Sequence, residues 1–345
     1  MNGRIIKDLL MGGFWMIQIL ELFGGIGSPR IALRNLGVPV KSIDYVEIDE
    51  KAVRSYNAMF ADELEYKTQS VVGWNLKPDI LIHGSPCQDF SIAGHQNGAD
   101  EGSETRSSLM WETVHIIEQM GEWKPKVVIW ENVKNVLSKH MKHNFDRYLS
   151  YMQMLGYTNN YEILNAMDFG LPQARQRVFT VSILDGEAFD FDLMKRKPME
   201  NIDNYLEDEV PEYYVVTQPS MLNKIAEGDS VFNGKVEVIK DHAMTITCKQ
   251  MRCPNSGVVE LEDGDYRYLT EKECWRLQGY SDEDFEAALS VHPGKKNCLN
   301  GTMYKQAGNS IPVPIFESMF EVMLPKYFKQ KVSIERKENN IRIVK

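Results

Sequence analysis

Cys87, Glu131, Arg175 and Arg177 are the side chains of this 345-residue chain whose types and settings could do covalent chemistry. Cys87 stands in Gly84-Ser-Pro-Cys-Gln88, just past Asp79-Ile-Leu-Ile-His83. That apolar run, bounded by Pro78, Gly84 and Pro86, reads as a parallel strand buried on both faces, which puts the thiol in a loop at its carboxyl end. Ligands bind at that rim in open α/β sheets, and helix N-termini or cations there lower a thiol's pKa toward the reactive thiolate. Taken alone, a cysteine so placed is more often a small buried hydrophobe. Glu131 follows a second apolar run, Val127–Trp130, and emerges at the same rim. A partly desolvated carboxyl there can hold a proton and share it with a heteroaromatic ring, or it can cap the next helix. Arg175 and Arg177 are two apart in Gln173-Ala-Arg-Gln-Arg177, entering the strand Val178–Ile183. Alternation aims both to one face, suited to a carbonyl, a phosphate or an edge-strand salt bridge.

A second constellation suits binding. Phe23-Gly-Gly-Ile-Gly27 lies at a strand-to-helix turn, where glycines let a ligand approach the backbone and the helix offers free N–H groups. Ser28 and Pro29 follow directly, so the third glycine of the dinucleotide fingerprint is absent. About twenty residues on, Glu47-Ile-Asp49 closes the next strand, where a carboxylate can accept from ribose hydroxyls. Together these predict a nucleoside-containing cofactor; a turn cluster and a helix-capping acid are the plainer explanation.

The elements that must position these residues follow from periodicity. From Ile17 to about Leu184, short apolar runs alternate with amphipathic segments, which predicts a mostly parallel sheet wrapped by helices. Strands are expected at Ile17–Phe23, Lys41–Ile48, Asp79–His83, Val127–Trp130 and Arg177–Ile183. Helices are expected from Pro29 to Leu36 with Ser28 as N-cap, over Glu50–Phe60, on the Leu109/Thr113/Ile117/Met120 face, and on the Phe145/Leu149/Met152/Leu155 face ending at Gly156. Residues 188–265 change character, with sixteen acids against eight lysines and arginines, and read as an inserted or second domain. Order returns at Thr270, an N-cap with Glu273 three residues on.

Composition bounds the rest. The chain is 43% hydrophobic and 26% charged, ordinary for a globular protein, and no stretch is long and apolar enough to span a membrane. Met1–Trp15 lacks a secretory cleavage signature, so a cytoplasmic protein is expected. The codons that could encode Gly12-Gly13-Phe14-Trp15 include a ribosome-binding purine run, which makes Met16 the expected natural start; a genuine helix on Ile5, Leu9 and Leu10 is the alternative. Five scattered cysteines suggest free thiols, and Cys248 and Cys253 have no second Cys/His pair to make a zinc site. A net charge of −10 opposes generic nucleic-acid binding but leaves room for a local basic face, such as Lys134, Lys139, Lys142 and Arg147 with His140 and His143.

In order and spacing, these motifs resemble the cytosine-5 DNA methyltransferases. The resemblance rests on Phe23–Gly27, Glu47, Pro86-Cys87-Gln88, Glu131-Asn132-Val133, Gln173–Arg177, Leu269–Tyr280 and Gln306–Pro312, and spans Ile17 to about Phe316. It implies an α/β fold: a Rossmann-like class I methyltransferase sheet (residues 1–187 and 266–345) with a smaller, mostly β target-recognition domain (residues 188–265). It also implies that S-adenosylmethionine is the cofactor, that the partner is double-stranded DNA, with a cognate restriction endonuclease as a candidate second partner, and that a monomer suffices. Cys87 matches the nucleophile that attacks carbon 6 of a flipped cytosine. Glu131 matches the group at ring nitrogen 3, Arg175 the one that holds the carbonyl oxygen at carbon 2, and Arg177 a second arginine that orders the site.

The same resemblance assigns the cofactor's methionine end to Phe23, Gly24, Gly25, Ile26 and Gly27, its ribose to Glu47, the adenine face to Ile48, and further edges to Leu109, Asn309 and Ser310. The family's acid for the adenine amino group has no counterpart in Tyr66–Val71, where Gln69, Ser70 or a backbone carbonyl would substitute. Gln88 and Ser91, in the loop to Arg106 that resembles the family's closing loop, are expected at DNA. In the recognition domain Lys249 is expected on phosphate, and Gln250 and Arg252 on base edges, with structural hairpin residues an equal reading. Two rivals stand beside this one: methylation of cytosine in RNA, and a catalytically silent DNA-binding regulator.

Overall fold

The computed structural model describes residues 17–61, 65–71, 78–85, 109–226 and 236–328. A six-stranded sheet is its centre. β1 (Ile17–Leu22), β2 (Val40–Val46), β3 (Ile80–His83), β4 (Val127–Val133), β7 (Gln176–Leu184) and β5 (Tyr157–Asn165) lie in the order β2-β1-β3-β4-β7-β5. The first four pair in parallel, as buried apolar runs do when helices cover both faces. β7 pairs antiparallel with both β4 and β5. β5 was not expected, because its Tyr-Thr-Asn-Asn-Tyr-Glu-Ile-Leu-Asn carries no apolar run. It is an edge strand with most side chains at least partly exposed, so its place is set by backbone pairing with β7 and not by burial of a face. β4 likewise runs three residues past Trp130, since β7 supplies partners as far as Val133↔Arg177.

Helices sandwich the sheet. On one face α3 (Leu109–Gln119) and α4 (Lys142–Met154) bury Ile117, Phe145, Tyr148 and Met152 against Leu20, Leu81, Val128 and Trp130. On the other, α1 (Ser28–Asn35) and α2 (Glu50–Met59) pack with C-terminal helices α6 (Glu271–Arg276), α7 (Asp282–Val291), α8 (Gly301–Asn309) and α9 (Val313–Tyr327) over Ile19, Ile82, Ile129 and Phe179. The chain therefore returns after residue 270 to complete the layer that its first sixty residues begin. Ser28 is the first helical residue of α1, and Gly27, with φ 79°, is its N-cap. The Thr270–Glu273 capping box forms as expected at the start of α6.

Within residues 188–265 the strands are short. β8 (Ala243–Met244) pairs with β6 (Gln173–Ala174), and β9 (Val258–Glu260) pairs with β10 (Tyr266–Tyr268), while α5 (Pro219–Ala226) supplies the helix. Phe189, Phe191, Met194, Ile202, Ala243 and Ile246 pack into the core beneath the sheet. A separate apolar cluster unites Tyr214, Val216, Met221, Ile225, Val236, Val258 and Tyr268. Frequent turns and acids break the apolar periodicity here, so the segment folds around a few large side chains.

Candidate active site

β3 and β4 end side by side, with Ile82 opposite Ile129 and His83 opposite Trp130. Gly84 and Ser85 continue from β3 toward Cys87, which lies outside the described residues together with Gln88 and Ser91. Glu131 faces this rim: a side chain on Gly84 would begin 3.7 Å from its Oε2 and 4.0 Å from Ile311. Glycine at 84 thus leaves the space that a group held by Glu131 would need. The neighbouring β4 residues face the opposite way, where Trp130 Nε1 donates to Ser85 Oγ at 3.0 Å and the Asn132 amide donates to Ser85 O at 3.4 Å. Alternation along one strand therefore gives Glu131 to the site and its two neighbours to the base of the loop.

Arg177 Nε lies 3.2 Å from Glu131 Oε1, with both side chains only partly exposed. Burial pushes the Glu131 carboxyl above the ordinary glutamate range, while Arg177 and then Arg175 pull it back. Such a carboxyl retains a proton that an exposed one would lose, next to a guanidinium able to donate to an oxygen.

Arg175 has a different setting. It is 2% exposed, and its guanidinium donates from Nη1 to Ile246 O at 2.8 Å and from Nη2 to Gly308 O at 3.1 Å and Ser310 O at 2.8 Å. Arg177 thus makes the direct contact with Glu131, while Nη1 and Nη2 of Arg175, the arginine expected on a substrate carbonyl, donate to backbone carbonyls. Alternation put both on one face but could not show their depth.

The glycine turn follows β1, which lies beside β3 in the sheet. Gly25 has φ 56°, and among the described residues no atom beyond its chain neighbours lies within 4 Å of where a side chain would begin. Gly24 and Gly27 sit on the Tyr45 and Tyr56 rings, each 2.6 Å from an added Cβ, which only glycine permits. Glu47 Oε2 accepts from Gly25 N at 3.0 Å, and Oε1 accepts from Ile48 N and Asp49 N at 2.8 Å. Beside it, Ile48 is 72% exposed. Phe23 adopts φ 56° at the turn's start, whereas Ile26 buries its side chain in the core and can offer only backbone. The Gln69 amide N–H donates to Glu47 O, which draws Tyr66–Val71 toward the same edge.

α8 reaches this edge through Lys305 to Asp49 at 2.5 Å and Ser55 to Gln306 at 3.0 Å. Asn309 is exposed at its end, and Ser310 is buried. Ile311 N donates to Ser28 Oγ at 3.3 Å and closes the stretch onto the turn. Leu109 is half-buried as the first residue of α3.

Of the residues expected to read DNA, Lys249 and Arg252 are exposed on the turns after Thr247. Gln250 is corrected: it is 1% exposed and its amide donates to Ser256 Oγ, so it supports that turn from inside. Cys248, Cys253, Cys274 and Cys298 are free, and no group of His, Cys, Asp or Glu among the described residues could hold a metal ion. No described helix is long and apolar enough to cross a membrane. Gly84, Ser85 and Ile311 lie within runs that the sequence reading quoted but received no role there; Gly84 and Pro86 carried the signal for the loop.

A sheet covered on both faces, with a glycine turn after β1 and a buried acid on β4, two strands away, fits the class I methyltransferase fold. The chain belongs to the C-5 cytosine-specific DNA methylase family, whose model matches residues 17–324. It is similar to the type II methyltransferase M2.ScrFI of Lactococcus lactis subsp. cremoris, at 34% identity over 370 residues, 89% of this chain and 98% of that one. It is also similar to M.Bsp6I of Bacillus sp. (strain RFL6), 27% identical, covering 89% of this chain and 98% of that one. Among solved structures, the S. pombe Dnmt2 methyltransferase shares the fold with a TM-score of 0.70 at 20% identity, over 89% of this chain and 98% of that one. A putative DNA modification methyltransferase encoded within an E. coli prophage does so with a TM-score of 0.63 at 16% identity, over 89% and 98%.

The protein is a DNA (cytosine-5) methyltransferase, and its methyl donor is S-adenosylmethionine. The donor set fits that cofactor: a glycine turn at Gly25, a carboxylate anchored at its edge, and an exposed apolar face on Ile48.

Proposed function

We propose that the chain methylates carbon 5 of a cytosine turned out of duplex DNA, through a transient bond between the Cys87 sulfur and carbon 6. The observation that carries this is the Glu131–Arg177 pair beside Gly84, at the strand end from which the chain runs on to Cys87. Carbon 5 of cytosine is a weak nucleophile. Addition of a thiolate at carbon 6 turns the C5–C6 double bond into an enamine-like nucleophile centred on carbon 5. As that bond forms, electron density moves toward ring nitrogen 3, where Glu131 donates its proton, and Arg177 donates to the oxygen at carbon 2. S-adenosylmethionine, when bound, supplies an electrophilic methyl group. A water molecule then takes the carbon 5 hydrogen as a proton, the electron pair left behind re-forms the C5–C6 double bond and expels the Cys87 thiolate, and Glu131 regains its proton from nitrogen 3.

A cytosine stacked in a duplex cannot reach a rim that Gly84 and Ile311 enclose, so the base leaves the helix to react. We assign target recognition to residues 188–265, with exposed Lys249 and Arg252 as DNA contacts. The charge of this segment confines contact to such local cations, and most of its described acids are exposed. The likeness to type II methyltransferases supports a modification enzyme working as a monomer in a bacterial cytoplasm, alongside a restriction endonuclease of the same specificity.

The test uses Cys87→Ser. This variant is expected to lose both methyl transfer to duplex DNA and covalent trapping on duplex DNA that contains 5-fluorocytosine, with cofactor binding intact. Methylation retained by the variant would refute the nucleophile. Transfer to RNA in preference to duplex DNA would refute the substrate.

A further inference from the structure

Arg175 joins three parts of the chain that are remote in sequence. Its carbonyl partners are Ile246, in the segment assigned to recognition, and Gly308 and Ser310, at the end of α8. The residues around it make the same crossing. Thr245 Oγ1 donates to Ala174 O at 2.7 Å, Ile246 N donates to Gln173 Oε1 at 3.1 Å, and the Gln173 amide donates to Leu277 O at 2.8 Å. β6 and β8 pair at this point. At Gly308 the fit is closest: an added Cβ would lie 2.2 Å from Cys248 N and from Thr247 C, so the 247–248 backbone passes directly over α8. Three residues farther along, Ile311 reaches the Gly84 space beside Glu131.

We propose that Arg175 is a positioning residue that locks residues 245–248 to the wall of the cytosine site, so that the recognition segment and the reacting base keep one register. This rests on the assignment of residues 188–265 to recognition. A guanidinium suits such a joint because its fork of N–H donors satisfies several carbonyls from one rigid plane, whereas an ammonium is a point charge on a flexible stem. The two-residue spacing of Gln173–Arg177 then gives one arginine to the joint and the next to the site. A shift of the joint would move the recognition surface relative to Glu131.

Arg175→Lys tests this, with wild-type methylation first mapped by bisulfite sequencing to define the target duplex. The variant is expected to raise KM for that duplex about tenfold. It should also narrow the ratio of kcat/KM between the target and duplexes altered at one base pair. kcat and S-adenosylmethionine affinity should stay within about twofold, the scatter of a site not directly touched. Thr245→Val, which removes one hydrogen bond of the same joint, should shift KM for DNA in the same direction and add little in the Arg175→Lys background. A fall in kcat with KM for DNA unchanged would overturn the proposal, since it would place Arg175 on the base. Full additivity of the two variants would overturn it as well. Should Arg175→Lys not fold, Thr245→Val decides, and unaltered DNA kinetics in that variant count against the joint. Absence of cytosine methylation by the wild-type chain would instead refute the functional reading on which the joint rests.

Discussion

Glu131 and Arg177 restrain one another: burial favours the neutral carboxyl, and the guanidinium 3.2 Å away favours the charged one. A group held between these pulls can give up a proton as ring nitrogen 3 becomes basic and take it back as the thiolate leaves. Glu47 has a simpler duty. It pins Gly25 N and the start of α2 while standing beside exposed Ile48, so its carboxylate sets the shape of the glycine turn. Glu47→Ala is expected to weaken S-adenosylmethionine binding at least about tenfold, from the loss of charge-assisted hydrogen bonds, with DNA affinity little changed. Isothermal titration of both ligands checks this, and unaltered cofactor affinity would remove Glu47 from the site. Glu131 and Arg177 were legible as candidates because each follows or begins an apolar run. What distinguished Arg177 from Arg175, or Gln250 from Arg252, was depth below the surface, and neighbours in sequence do not report depth.

Among the elements, α6 shows how a local signal acquires a larger role. Thr270 and Glu273 form the capping box that their spacing predicts, yet Glu273 is fully buried and also accepts both arms of the Arg267 fork at 2.9 Å. The Glu207 N–H donates to the same carboxylate at 2.8 Å, so the cap ties α6 to β10 and to the stretch before α5. Removing one partner of a buried ion pair leaves the other charge uncompensated, so Glu273→Gln is expected to cost about 3 kcal/mol of stability. Urea unfolding measures this, and a midpoint within error of wild type would show that the pair contributes nothing net. The strands of the parallel core and most helices were legible from periodicity, because burial on a fixed face repeats along the chain. β5 was not, because an edge strand open to solvent needs no apolar face.

At the scale of the whole molecule, two helical layers close over one sheet, and the layer beneath the cofactor turn holds a buried acid. Glu21 accepts from Tyr56 Oη at 2.6 Å, Tyr56 Oη in turn accepts from Arg30 at 2.8 Å, and the Tyr56 ring stacks on Tyr45 under the glycines. Burial pushes the Glu21 carboxyl from 4.5 up to about 7, against the hydrogen bond from Tyr56 and the charge of Arg30. The folded chain therefore keeps this proton to a higher pH than the unfolded one. The stability it confers is complete below 4.5 and is lost as pH rises through about 7. Glu21→Gln, which stays neutral, should flatten that part of the curve of unfolding free energy against pH. Parallel wild-type and variant curves across this window would show that Glu21 is ionised throughout.

The amino-acid sequence determined by itself the parallel core, the rim where Glu131 emerges, the glycine turn with its carboxylate, and the capped helix that follows residue 270. Each of these is written in spacing of a few residues, the range over which strand alternation, helix caps and turns act. Tertiary structure alone decided that Arg177 meets Glu131 while Arg175 ties residues 71 and 135 positions away. It alone turned Gln250 inward, added β5 to the sheet edge and gave the acidic segment an apolar cluster of its own. Those outcomes depend on which backbone carbonyls and buried surfaces arrive from distant parts of the chain, and local periodicity carries no record of such arrivals.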